Sequence, residues 1–369
     1  MVATFRLSAA MIVRDEEAFL DECLRSISGM VDEVVVVDTG STDGSKRIAR
    51  DFHARVFDFA WCDDFSMARN EALARATGEW ILYIDADERL RPAARSSIDP
   101  LLADDSAVGH TVLFRPQSGY TRYRECRVFR NDPRIRFHGI IHETMLPPLQ
   151  AVAAHDGRRI GHSALAIDHV GYDGDQHHKH RRNLPLLRAG LAQAPDHVFS
   201  WHHLGRALAA LGDGEGAAHA WRQGIAAVRR CDASSPIASL VYSSLLRQEL
   251  DRGQLDSELL DEALARFPGN HVLAWLRGRA LIAARCFEEA IGVFARLAAV
   301  NAETYVDEAV AYDARIFGPW ALDALGLCCF RLGRFAESAR YYALAEAAAP
   351  DSPAYGVKRR LAEGQQAQH

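Results

Sequence analysis

No stretch of this 369-residue chain approaches the roughly 20 consecutive apolar residues that a membrane-spanning helix needs. Basic residues are in deficit, with a net charge of -6, so nothing recommends nucleic acid or an anionic membrane surface as a partner. The seven cysteines, Cys23, Cys62, Cys126, Cys231, Cys286, Cys328 and Cys329, are scattered and form no Cys-X-X-Cys pair. That spacing excludes a zinc ribbon or a dithiol redox motif and reads as reduced core thiols. Also missing are the Gly-X-Gly-X-X-Gly turn of dinucleotide-binding enzymes and the Gly-Lys-Ser/Thr phosphate loop. Together these absences point to a cytoplasmic protein. What is abundant is apolar content, 49%, enough for two packed domains.

The first half alternates strand and helix patterns. Leu7–Val13 reads as a strand, and Glu16–Ile27 as a helix with Phe19, Leu20, Cys23, Leu24 and Ile27 on one face. Val34–Val37 is a β-branched strand that runs into the glycine-bearing loop Asp38–Gly44. Ser45–Phe52, Val56–Phe57 and Phe65–Ala76 continue as helix, strand and helix. Such alternation predicts a doubly wound, mostly parallel sheet.

Its most telling strand is Trp80–Ile84, which leads into Asp85-Ala86-Asp87-Glu88. Open α/β sheets bind ligands at the carboxyl ends of their strands. If the chain stays extended, Asp85 and Asp87 share one side. A magnesium or manganese ion completed by water and a diphosphate suits such a pair.

Four motifs now line up: Met11-Ile12-Val13-Arg14-Asp15-Glu16-Glu17, Val35-Val36-Val37-Asp38-Thr39-Gly40-Ser41-Thr42-Asp43, Asp64-Phe65-Ser66-Met67-Ala68-Arg69-Asn70 and Ile84-Asp85-Ala86-Asp87-Glu88. In this order they resemble the family-two glycosyltransferases of GT-A fold, a Rossmann-like α/β domain that binds nucleotide-diphospho-sugars. The resemblance implies a UDP-sugar donor, a Mn or Mg ion on the Asp-X-Asp motif, and inversion at the anomeric carbon. It implies donor contacts from Val13, Asp15, Glu16, Asp38, Thr39, Arg69, Asn70, Asp85 and Ala86. Many members carry two acids where this chain has Asp38-Thr39, which puts one base contact in question.

Farther on, Thr111–Phe114 and Cys126–Phe129 read as strands around the polar stretch Gln117–Glu125, a candidate acceptor loop. Ile135–Glu143 reads as a strand ending in His142-Glu143, similar to a Phe-X-Gly-X-X-His-Glu stretch of family-two enzymes. Inverting transfer needs a base for the acceptor's proton. Glu143 is the candidate, with His142 orienting it or lining the acceptor site. The resemblance also places His169 as a metal ligand beside Asp85 and Asp87. Asp173–Arg182 fits no closed zinc site and reads as a flap whose Lys179 and Arg182 approach the diphosphate.

Beyond residue 182 the pattern becomes alanine-rich helices. Trp201, Leu204-Gly205, Leu208, Gly212, Ala217 and Trp221 follow the tetratricopeptide pattern, as do Leu325-Gly326, Gly333, Tyr342, Ala345 and Pro350. A weaker copy runs through Gly278, Leu281, Phe287, Ala290 and Phe294, and Tyr242–Phe267 is a degenerate one. The expected organisation is a GT-A domain over 1–178 followed by an all-α tetratricopeptide-like domain over 179–369. Stacked repeats offer a concave surface for a peptide or protein, or stabilise the enzyme or pair it as a homodimer. The combination is similar to bacterial enzymes that glycosylate peptide bacteriocins, which implies a peptide acceptor. A surface-glycan or lipopolysaccharide-core acceptor is the alternative, and a non-catalytic repeat scaffold the alternative of another class.

Overall fold

The computed structural model describes residues 6–91, 94–171, 177–231 and 235–367. Two compact units divide the chain, one made of Met1–Ser118, Tyr123–Pro195 and Arg206–Asp213, the other of Gly119–Arg122, Asp196–Gly205 and Gly214–His369.

In the first unit the order is β1 (Leu7–Val13), α1 (Leu20–Ile27), β2 (Glu33–Asp38), α2 (Ser45–Asp51), β3 (Arg55–Asp58), α3 (Phe65–Arg75) and β4 (Trp80–Tyr83). There follow β5 (Glu88–Leu90), α4 (Arg95–Leu102), β6 (Ala107–Arg115), β7 (Arg122–Arg130), α5 (Leu146–Asp156), β8 (Arg159–His169) and α6 (His177–Gln193). The sheet runs β3-β2-β1-β4-β7-β6-β8-β5. β3, β2, β1 and β4 are parallel neighbours, and β7 then pairs antiparallel to β4. Both faces are covered: Leu20, Leu24, Ile27, Ala49, Ile98 and Leu102 pack on one core, and Ala72, Leu73, Leu149 and Val152 on the other. Burial on both faces is why Val35, Val36 and Val37 can be apolar in succession. This is a GT-A-like α/β domain. The strand order reverses between β1 and β4, so a crevice opens at their carboxyl ends, where Val13 pairs with Asp38 in register.

Several sequence expectations need correction. The first helix starts at Leu20 rather than Glu16, because Asp15 takes a left-handed φ of 53° and a turn intervenes. Residues 135–143 form no strand. A loop stands there, closed by reciprocal 3.0 Å bonds between His138 and Thr144 and bent at Gly139 and His142, whose φ values are 106° and 55°. β4 ends at Tyr83 and a turn follows, closed by Glu88 N donating to Asp85 O at 3.0 Å. Residues 172–176 of the expected flap lie outside the described residues. Lys179 and Arg182 sit on α6.

In the second unit, which takes α7 (Val198–Ala210) only as far as Gly205, the helices pair as α7 with α8 (Gly214–Cys231), α9 (Ser239–Asp251) with α10 (Ser257–Arg266), α11 (His271–Ala283) with α12 (Phe287–Ala298), and α13 (Pro319–Arg331) with α14 (Phe335–Ala348), before α15 (Pro353–Gln366). A Cβ on Gly205, Gly278 or Gly326 would sit 2.2, 2.5 or 2.7 Å from Trp221, Phe294 or Tyr342. Glycine inside a helix costs about 1 kcal/mol against alanine, while emptying a buried aromatic site costs about 3–5 kcal/mol. Close packing therefore outweighs propensity, and the glycine–aromatic pair recurs in three of these four helix pairs, as in tetratricopeptide-like helices. One departure from the repeat is the insert between α12 and α13, where Tyr305, Tyr312 and Phe317 surround the His271 ring at centroid distances of 5.0, 5.1 and 4.9 Å. Gly119–Arg122, from the candidate acceptor loop, belong to this unit: Thr121 N donates to Tyr312 O at 2.8 Å. Among the described residues no helix is long and apolar enough to cross a membrane.

Candidate active site

The crevice takes its side chains from residues at or just past strand ends, from helices α3 and α6, and from the 138–144 loop. At the end of β2, Asp38 is 1% exposed. Its Oδ1 accepts N–H bonds from Gly40 at 3.0 Å and Ser41 at 2.9 Å, and lies 3.4 Å from Lys46 Nζ. Oδ2 is buried and makes no hydrogen bond among the described residues, an unsatisfied acceptor of the kind that calls for a donor. Thr39 is committed elsewhere, since its N and Oγ1 both donate to Val13 O, at 2.9 and 3.2 Å. Asp15 latches one loop to another by accepting from Thr42 N at 2.7 Å. Ala86 is buried in the core.

Arg69, on α3, ties two carboxylates together. Its NH1 and NH2 fork onto Asp85 at 2.8 and 3.1 Å, and its Nε donates to Glu143 Oε1. The rings of Tyr83 and Phe137 flank the guanidinium at 5.0 and 5.6 Å. Burial works against the cation, but Asp85 and Glu143 outweigh it and hold its pKa well above the ordinary value. Burial likewise works against ionised Asp85, and Arg69 outweighs it to lower that carboxyl. Glu143 lies in the 138–144 loop with its side chain 8% exposed. Its Oε2 has no hydrogen-bond partner among the described residues. Asn70 clamps the approach to that loop, exchanging bonds of 2.9 and 2.8 Å with the Phe137 backbone.

Asp87 has other close partners. Its Oδ2 lies 3.1 Å from His169 Nε2 and 3.9 Å from Lys179 Nζ. A Cβ at position 171 would fall 2.1 Å from the same oxygen, so Gly171 keeps the space that Asp87 fills. Glu16 completes the group. Burial pushes its carboxyl up to about 7; Asp87 and Asp85 add to the shift, while Lys179 and Arg182 oppose it. Arg182 stacks over Phe65 at 5.6 Å, and burial lowers its pKa.

The Glu16 shift has a consequence for stability. Its folded pKa exceeds its ordinary 4.5, so the native state binds the extra proton between pH 4.5 and about 7 and loses that stabilisation as pH rises through this window. In chelated buffer the urea midpoint of the wild-type chain should therefore fall between pH 5 and 8 relative to Glu16→Gln. Parallel curves for the two proteins would refute the assignment.

Comparison with known proteins places the chain in a family. The pattern of glycosyl transferase family 2 matches residues 8–150. The lipopolysaccharide core biosynthesis glycosyltransferase LpsC of Rhizobium meliloti is 32% identical over 186 residues, 46% of this chain and 67% of that protein. The chain belongs to glycosyl transferase family 2. This family-two chain is also 38% identical over 230 residues to a TPR repeat-containing protein of Synechococcus elongatus, covering 60% of this chain and 57% of the relative. Against the glycosyltransferase SunS of Bacillus subtilis it is 27% identical over 218 residues, 55% of this chain and 49% of the relative. It thus spans only about half the length of these two curated relatives. Among solved structures, a mannosyltransferase from Pyrobaculum calidifontis in complex with GDP-Man and Mn2+ overlays with a TM-score of 0.42 at 18% identity, over 76% of this chain and 87% of that one.

The family implies a divalent metal, and the donor set bears on it. Among the described residues no three His, Cys, Asp or Glu side chains form a group that could by itself hold a metal ion. Asp85 is taken by Arg69, whereas Asp87 and His169 stand together. A carboxylate and an imidazole, leaving the remaining positions to water and diphosphate oxygens, fit a magnesium or manganese ion. Sequence reasoning overlooked the buried pair Glu88 and Arg127, which lies behind the Asp85–Glu88 turn. The available signal was an arginine inside the apolar run Cys126-Arg127-Val128-Phe129.

Proposed function

We propose that this family-two chain is a metal-dependent, inverting transferase that moves a sugar from a nucleoside-diphosphate sugar, a UDP-sugar, to a peptide or protein side chain. The observation that carries the reading is the crevice itself, with the unsatisfied Asp38 Oδ2 on one strand end and the Asp87–His169 pair beside Lys179 near another. Asp38 accepts a hydrogen bond from the nucleoside, and Lys179 and Arg182 oppose the diphosphate charge. Asp87 and His169 would hold the cation, which when bound supplies charge neutralisation to the departing diphosphate. Glu143 Oε2 takes the proton as the acceptor's oxygen or sulfur bonds to the anomeric carbon. The bond from that carbon to the diphosphate oxygen breaks on the opposite face, and the nucleoside diphosphate leaves with the electron pair. Arg69 orients Glu143 throughout through the bond to Oε1.

A peptide acceptor is supported by the helical repeats, whose stacking forms surfaces suited to extended chains. Transfer to a lipopolysaccharide core is a second reading, favoured by the likeness to LpsC. Calorimetric titration of UDP should give a binding isotherm with manganese and none in chelator. Absence of binding under both conditions would reduce the protein to a scaffold.

A further inference from the structure

Arg127 lies in the middle of β7 and is 3% exposed. Its guanidinium is sandwiched by the rings of Tyr83 at 4.0 Å and Phe114 at 4.7 Å. From there its two terminal nitrogens fork onto Glu88, NH1 to Oε2 at 3.1 Å and NH2 to Oε1 at 2.8 Å. Glu88 is 1% exposed. Its Oε2 also accepts the backbone N–H of Asp85 at 2.9 Å, while its own N–H donates to Asp85 O at 3.0 Å. The turn that holds Asp87 is thereby closed twice by Glu88, once through backbone and once through side chain.

A fully buried ion pair is a poor source of stability, because desolvation offsets most of the attraction and an apolar pair packs as well. Its distinctive contribution is direction: a forked guanidinium fixes the plane of the carboxylate it binds. A second carboxylate, Glu125, meets that fork less closely, its Oε2 accepting from Arg127 NH2 at 3.4 Å against 2.8 Å for Glu88 Oε1. It is occupied by the hydroxyls of Tyr83 at 3.2 Å and Tyr123 at 3.0 Å, with Arg127 Nε 3.4 Å away.

We propose that Arg127 is a positioning residue of the donor site. It orients Glu88, Glu88 anchors the amide of Asp85, and the anchored turn presents Asp87 to His169. The claim rests on the reading of Asp87 as part of the donor site, but the anchoring can be measured without any ligand.

Arg127→Met alone leaves the Glu88 charge buried and unpaired, so the decisive variant is Arg127→Met with Glu88→Met, which keeps volume and removes both charges. This double variant should melt close to the wild-type temperature. Its amides at 85–88 should nonetheless exchange with deuterium at least about tenfold faster than in the wild type, with those of β1 and β2 unchanged. Manganese-dependent UDP affinity should fall roughly 10- to 100-fold, the range seen when groups that orient metal ligands are removed. In turnover the donor KM should rise more than kcat falls. Arg127→Lys, which keeps the charge but not the fork, should lie between. Wild-type exchange at 85–88 in a folded double variant would overturn the proposal. If wild-type protein itself binds no UDP, the donor-site reading fails, while the exchange rates still decide whether Arg127 anchors the turn.

Discussion

Glu143→Gln is expected to slow transfer to a hydroxyl acceptor by roughly 10²- to 10⁴-fold, the usual contribution of a general base. The amide keeps the shape and still offers an oxygen to Arg69 Nε, so the 138–144 loop should stay in place. Basicity at the other terminal atom is what disappears. Because a base acts on the acceptor's proton and not on the ground-state donor complex, nucleotide-sugar affinity should be nearly unchanged. A cysteine acceptor alters the magnitude. With a thiol pKa of about 8.5 it is already partly thiolate near neutrality, so the loss should be smaller and should shrink as pH rises. Rates of the wild type and Glu143→Gln on serine and cysteine versions of one peptide, from pH 6 to 9, measure both effects. Normal turnover of the serine peptide by the variant would remove Glu143 from the chemistry.

Asp87→Ala should abolish manganese-dependent UDP binding and lower turnover by roughly 10²-fold or more, since a bound cation contributes several kcal/mol to stabilising the leaving diphosphate. Two neighbours make the effect specific to this residue. His169 loses the carboxylate 3.1 Å from its Nε2, and Lys179 loses the one 3.9 Å from its Nζ. Lys179 should then sit closer to the diphosphate, leaving weak, metal-independent binding that salt suppresses. Asp87 is also the strongest charge raising Glu16, so its removal should bring the Glu16 pKa down from about 7. Isothermal titration with and without chelator reads the first effect, and carbon-detected NMR of labelled glutamate reads the second. Full activity of Asp87→Ala in chelator would exclude a metal at this position.

Some of this was legible in the chain alone. The β1, β2 and β4 runs are apolar because both sheet faces are covered, and that burial shows directly in composition. The loops that follow them carry acids and glycine, so the crevice at the strand ends can be located from Asp38 and Asp85–Glu88 alone. Glycine facing an aromatic recurs at Gly205, Gly278 and Gly326, and that recurrence made the repeats visible too.

Local pattern could not assign partners. Alternation along an extended strand put Asp85 and Asp87 on one side, but the chain turns after Tyr83, and the two carboxylates go to Arg69 and His169 instead. Arg69 and Glu143 are 74 residues apart and Arg127 and Glu88 are 39 apart. Likewise His169 reaches Asp87 only because β8 pairs with β5, a three-residue strand too short to leave a periodic signal. The set of elements and the end of the sheet where the chemistry belongs were therefore legible in the residues themselves, since burial imposes a local rhythm on those that undergo it. Which charge meets which was decided only by tertiary structure, because a buried ion must find its counter-ion wherever strand order and chain crossing happen to bring one.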